Sequence, residues 1–169
     1  MRRTLFRRLM QEVPAVYYSD GPLFAFSEGS QPLAPGIYRA ARGESKIRFA
    51  VRDSHYAVSG DATPETVALI AAPAHPGLHI FQQSGGLGTT FYGAFRLHSG
   101  GAGFRLFSPE GDEAAALDAA VGHGATPTSI GYKFADRASL LAALIPLAQE
   151  AQAAAWQDYR AVSASGGRA

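Results

Sequence analysis

Two pairs of arginines stand at matching places in two similar stretches of the chain. In Gly36–Val51, GIYRAARGESKIRFAV, and in Gly93–Ser108, GAFRLHSGGAGFRLFS, the residues Gly36, Arg39, Gly43 and Arg48 correspond in order to Gly93, Arg96, Gly100 and Arg105. Tyr38, Ile47 and Phe49 correspond likewise to Phe95, Phe104 and Leu106. Each stretch reads as a β-hairpin. Pairing Tyr38 with Phe49 and Ala40 with Ile47 sets those four side chains on one face and Arg39 opposite Arg48 on the other. In the second copy Phe95 pairs with Leu106, Leu97 with Phe104, and Arg96 lies opposite Arg105. Like charges directly opposite each other cost up to roughly 1 kcal/mol, so each pair calls for an acidic neighbour, an anionic ligand or open solvent. The planar guanidinium meets a carboxylate or phosphate through two parallel hydrogen bonds, which makes each pair a candidate anion seat.

Tyr92 and Phe107 share the face of Arg96 and Arg105, and such a mixture is enriched at protein interfaces and on platforms for single-stranded nucleic acid. It also results where a helix covers the face, a role open to Trp156 or Tyr159 of the last helix. A plainer reading stands beside these. The chain uses 13 arginines against 2 lysines, so arginine is its default surface cation, and the outer face of a half-buried antiparallel sheet is ordinarily polar.

Other chemistry finds no support in the spacing. There is no G-x-S-x-G, and Asp53-Ser54-His55 are contiguous in a turn, where nucleophile, base and orienting acid cannot align. Gly85-Gly86-Leu87-Gly88 precedes a strand, whereas a phosphate loop precedes a helix. His75 and His79 fall on a turn and strand, where a four-residue spacing does not aim two imidazoles at one ion. His79 and His98 could meet across neighbouring strands, with His55 joining them, but no motif supports such a site. Helix capping accounts for Asp112 in the Glu110–Glu113 cluster. The absence of cysteine removes thiolate nucleophiles and cysteine-ligated metals. No catalytic residue, metal ligand or cofactor is therefore assigned.

The elements that must position the arginines follow from patterning. Met1–Val13 forms a basic amphipathic helix, with Leu5, Phe6, Leu9, Met10 and Val13 on one side and Arg3, Arg7 and Arg8 mostly on the other. Docking on its own domain, on a partner or on an anionic membrane surface are all open to it. Ala15–Tyr18 and Leu23–Ser27 are short strand candidates around a turn. The first hairpin, a strand at His55–Ser59, an apolar run at Thr66–Ala72 and a strand at Leu78–Gln83 lead to the second hairpin; the run fits a short helix starting at Thr63-Pro64-Glu65 or a buried strand, and Val67, Leu69 and Ile70 favour the strand narrowly. Asp112 caps a helix at Glu113–Val121, and Ser129–Phe134 is a last strand. Asp136 caps the longest periodic segment, in which Leu140, Leu141, Leu144, Leu147, Ala148, Ala151, Ala155 and Tyr159 recur at helical spacing, with Pro146 inside it.

The expectation is an α+β fold in which a curled antiparallel β-meander packs against a long, Pro-interrupted C-terminal helix. Residues 14–162 form one domain, after the helix at 1–13 and before a disordered tail at 163–169. Pro76-Gly77-Leu78, Tyr92-Gly93, Gly103-Phe104, Ser108-Pro109-Glu110 and the run from Phe134 to Leu141 resemble a family of small uncharacterised bacterial proteins. The resemblance covers roughly residues 36–145. It implies a β-meander, a Tyr-Gly strand and a closing Leu-Leu-x-x-Leu helix, and no activity. Members often carry a secretion signal and cysteines, and neither is found here.

Net charge is +1, but residues 1–105 carry 11 Lys and Arg against 7 Asp and Glu, whereas residues 106–169 carry 4 against 7. That asymmetry favours an acidic protein partner and falls far short of a nucleic-acid binder's. No apolar run reaches the ~20 residues of a membrane span, and a cytoplasmic location is expected. The functional expectation is a non-catalytic interaction module, an accessory subunit or adaptor. It would meet an acidic surface through Arg39, Arg48, Arg96, Arg105 and Tyr92 together with Arg3, Arg7 and Arg8. A small apolar-ligand carrier, with Phe95, Phe104 and Leu106 pointing inward, is the alternative. A small hydrolase or metal enzyme, built from residues distant in sequence, is a further one. Nothing in the sequence sets an oligomeric state.

Overall fold

The computed structural model describes residues 13–60, 65–84, 88–98 and 101–162, so the segment with Arg3, Arg7 and Arg8, most of the expected N-terminal helix and the expected tail lie outside the described residues. Among the described residues there are eleven strands. They are β1 (Tyr17–Ser19), β2 (Gly36–Ala40), β3 (Lys46–Arg52), β4 (His55–Ser59), β5 (Glu65–Ala71), β6 (Leu78–Ser84), β7 (Thr90–Leu97), β8 (Gly103–Phe107), β9 (Thr126–Pro127), β10 (Tyr132–Lys133) and β11 (Trp156–Ala161). The α-helices are α1 (Glu113–Gly122) and α2 (Arg137–Glu150), capped by Asp112 and Asp136, whose carboxylates accept from Ala115 N and Ser139 N.

Strands β2 to β8 run as a meander, and β11 fills the remaining slot between β8 and β2. The result is a closed antiparallel barrel of eight strands. This corrects the expected α+β meander with a long C-terminal helix. Helix α2 runs through Pro146 but stops at Glu150, and Ala151 turns extended at ψ 138°. The Ala-rich continuation offered helical spacing, yet Trp156–Ala161 gains two hydrogen-bonded edges by entering the sheet. Both the β8 and β2 edges would otherwise be left unpaired. Trp156 and Tyr159, three residues apart, fall on opposite faces of the strand, Tyr159 in the inner cluster and Trp156 against Phe107 outside. Leu23–Ser27 is also not a strand; it contains a 3-10 turn at Phe26–Glu28. There the Gln82 side chain takes the place of a paired strand, its Oε1 accepting from Phe24 N and its Nε2 donating to Phe24 O.

Two apolar clusters share the wall. Inside the barrel, Tyr38, Phe49, Tyr56, Phe95, Phe104 and Tyr159 pack with Leu33, Val67, Leu69 and Phe81. Phe104 stacks on Tyr159 at 4.8 Å and on Phe95 at 5.0 Å, and the Tyr56 hydroxyl accepts from Leu33 N and donates to Leu33 O. Outside, α1 and α2 cover β5, β6 and β7 through Ile70, Leu78, Ile80, Ala94, Leu140, Leu144 and Leu147. Strand β1 takes over the edge of β7 where β8 leaves it, pairing Tyr17 with Tyr92, and carries β10 and β9 outward.

The seam between β8 and β11 depends on Gly103, where a Cβ would lie 2.2 Å from the Tyr159 carbonyl oxygen and 2.9 Å from the His98 ring. Gly103→Ala should therefore destabilise the fold by about 2 kcal/mol or more, because backbone on both sides must shift. Denaturant unfolding checks this, and an unchanged midpoint would show that the seam is slack.

Candidate functional site

The barrel wall that the helices leave uncovered carries the basic residues. On β7, β8, β11, β2 and β3, alternate side chains point outward: Arg96, Arg105, Asp158 and Arg160, Arg39, and Lys46 and Arg48. The second hairpin has the expected register, with Arg96 opposite Arg105. The first slides two residues along: Tyr38 faces Ile47, Arg39 faces Lys46 and Arg48 faces Ile37. This corrects the expected Arg39–Arg48 pair. Because the slide is even, both arginines keep the outer face. The cause lies at the turn, where Ala40 N bonds Ser45 O and Ala41 N is drawn to Asp158 O of β11.

The two hairpins are not neighbours. Strand β11 separates them and adds Arg160, which stands opposite Arg39. The sequence reading missed Arg160; the local signal was short, Asp158 and Arg160 two apart with the apolar Tyr159 and Ala161 at the other parity. Arg160, Arg39 and Lys46 thus lie side by side across three adjacent strands, all exposed. Arg105 and Arg48 are also exposed. Arg96 is half-buried, its guanidinium 5.9 Å from the centre of the Trp156 ring. Tyr92 is buried, its hydroxyl bonded to Ser19 Oγ and Leu23 N, so its ring offers no open stacking surface. Phe107 is likewise fully buried, against Trp156.

Asp158 sits among these cations. It faces Arg105 across the β8–β11 pair, bonds His98 through Oδ1, and lies 3.5 Å from Arg160 through Oδ2. Burial works against its charged form, but the hydrogen bond from His98 and the charges of His98 and Arg160 outweigh burial and hold the carboxyl below its ordinary range.

A second feature is a cleft of about 310 Å³ at one mouth of the barrel, where the edge of β7 passes from β8 to β1. Phe81, Gln83, Phe91 and Leu106 line it from inside, and Tyr17, Ser108 and Glu110 from the rim. Phe95 and Phe104, expected to face a ligand, are instead fully buried in the stacked aromatic cluster.

The histidines do not converge. His79 points inward against Phe95 with ring centres 6.0 Å apart, whereas His98 lies on the outer face. Among the described residues no group of three His, Asp or Glu is placed to hold a metal ion. The Nδ1 atom of His79 is buried without a partner, and burial lowers the pKa of the ring from its ordinary 6.5. The unfolded chain therefore takes up this proton at higher pH than the folded protein does. Stability is complete above 6.5 and declines as pH falls through that value toward the lowered folded one. His79→Leu should flatten the change in thermal midpoint between about pH 7.5 and 5.5, while the wild type loses stability across it. Equal slopes in the two proteins would remove His79 as the cause. In comparisons with known proteins the chain matches no protein-family model, no curated protein and no solved structure.

Proposed function

We propose that this protein is a non-catalytic interaction module, an accessory subunit or adaptor in the cytoplasm, that docks on an acidic protein surface through the outer wall of β3, β2, β11 and β8. The observation that carries this reading is the row of Lys46, Arg39 and Arg160, three exposed cations directly opposite one another on adjacent strands. Neighbouring like charges of this kind cost up to roughly 1 kcal/mol per pair, and a partner's carboxylates turn that cost into attraction. Among the described residues, neither Arg39 nor Lys46 has a salt bridge of its own. Arg48 and Arg105 flank the row, and Arg3, Arg7 and Arg8 add charge of the same sign in sequence.

Protein is favoured over nucleic acid because Tyr92 and Phe107 are buried and the partly buried Trp156 already packs against Phe107 and the Arg96 guanidinium, which leaves no row of open rings for bases to stack on. Charge reversal of the row, Arg39→Glu with Arg160→Glu, should abolish salt-sensitive capture of partners by the tagged protein from its host lysate. Wild-type capture should be strong at about 50 mM salt and largely lost at about 500 mM, as screening dictates. Capture that survives the double variant, or consists of nucleic acid, would sink the reading.

A second reading rests on the mouth cleft, whose size and apolar lining suit a small neutral apolar ligand, with the carboxylate of Glu110 at the rim disfavouring anions. The neutral dye N-phenyl-1-naphthylamine should brighten on binding the wild type and stay dim with Leu106→Trp, which fills the cleft. Equal brightening in both would place the dye elsewhere and end this reading.

A further inference from the structure

We infer that Asp158 is a built-in stand-in for the partner's carboxylate, an internal anion that occupies the basic wall and holds its affinity for acidic partners down. The inference rests on the reading of that wall as a docking face and goes on to name the group the wall takes: a carboxylate side chain. Across the sequences of β2, β3, β7, β8 and β11, Asp158 is the sole acidic residue, set against Arg39, Lys46, Arg48, Arg52, Arg96, Arg105 and Arg160. The nearest other carboxylate in sequence to the row is that of Glu44, exposed in the loop after β2.

Three groups from three elements face it. His98, just past β7, reaches it through Nε2; Arg160, on its own strand, approaches through Nη2; Arg105 stands directly opposite on β8. The approach of His98 is possible because residue 103 is glycine. A Cβ there would lie 2.9 Å from the His98 ring, so any side chain would displace the imidazole from its path across β8 toward Asp158. The carboxylate is 27 % exposed and the imidazole 18 %, so an incoming acidic side chain reaches the pair from its exposed edge, where Arg160 and Arg105 are exposed.

An arriving glutamate or aspartate meets the same donors that Asp158 already holds and also meets its negative charge. Each side of that competition is a partly exposed charge contact, worth a modest amount by itself. The internal anion therefore does not close the wall; it tunes it toward partners that present several carboxylates, which can use Arg39 and Lys46 as well as the Asp158 cluster.

The test is fluorescence anisotropy of a labelled hexaglutamate peptide with three proteins at low salt: wild type, Asp158→Asn, and Arg39→Glu with Arg160→Glu. Asp158→Asn keeps the shape and an oxygen for His98 while removing the charge, and should tighten binding by about fivefold, the scale of one exposed charge contact. The double arginine variant should weaken it. If Asp158→Asn leaves binding unchanged or weaker while the double variant weakens it, the basic wall stands and the inference about Asp158 is overturned. If neither variant changes binding, the wall is not the docking face and both readings fall. A thermal midpoint for each variant, within a few degrees of the wild type, keeps a folding defect from imitating either result.

Discussion

The structure depends on closing the sheet. A meander of seven strands leaves two long edges, one on β2 and one on β8, each presenting a row of unpaired backbone donors and acceptors. Strand β11 pairs with both, matching Tyr159 to Ala40 on one side and to Phe104 on the other. With the edges joined, the inner face becomes an enclosed volume, and the aromatic rings fill it: Tyr38, Phe49, Phe95, Phe104 and Tyr159 contact one another edge-on or stacked. Such contacts add to the burial of large apolar area and fix the rings relative to one another. A barrel packed in this way is a rigid support, and the outer wall inherits that rigidity.

Closure also explains why the outer wall divides into a covered half and an open half. The chain crosses from β8 to β11 through α1, β9, β10 and α2, and the two helices lie over the apolar outward residues of β5, β6 and β7, namely Ala68, Ile70, Leu78, Ile80 and Ala94. The outward residues of β2, β3, β8 and β11 are mostly charged, and their cations are exposed, whereas Phe107 and Trp156 belong to the cluster under the helices. Polarity and cover therefore agree residue by residue. Arg96 marks the border: it shares β7 with Ala94, which is fully buried under the helical layer, and its guanidinium packs over Trp156.

Much of this was legible in the sequence where the information is local. The alternation in HYAVS identified β4, the turn at Pro73–Gly77 set the start of β6, the caps at Asp112 and Asp136 set the starts of both helices, and the second hairpin kept its expected register. What was not legible depends on partners far away. Residues 151–159 carry Ala151, Ala155 and Tyr159 at helical spacing, and only the vacant slot between β8 and β2 turns the end of this run into a strand. The first hairpin has the glycine and arginine pattern of the second, but its register answers to Asp158 O, which binds Ala41 N from a strand more than a hundred positions on. The arginines were found and their neighbours were not, because neighbours across strands are a property of topology.

That distinction bears on how the basic wall arose as an arrangement. Had the two hairpins been adjacent, Arg39 and Arg48 would sit beside Arg96 and Arg105 with no acid among them. The inserted strand brings both an added cation, Arg160, and the one internal anion, Asp158, and it spaces the two halves of the repeat apart. The strand that closes the barrel is thus also the strand that sets the charge pattern on its surface. A change to β11 acts on both at once: its inward positions carry the core through Tyr159, and its outward positions carry the balance between Arg160 and Asp158. Because the two sets alternate along one strand, the surface can be altered at positions 158 and 160 without touching the stacked rings, and this separates recognition from stability in a segment that serves both.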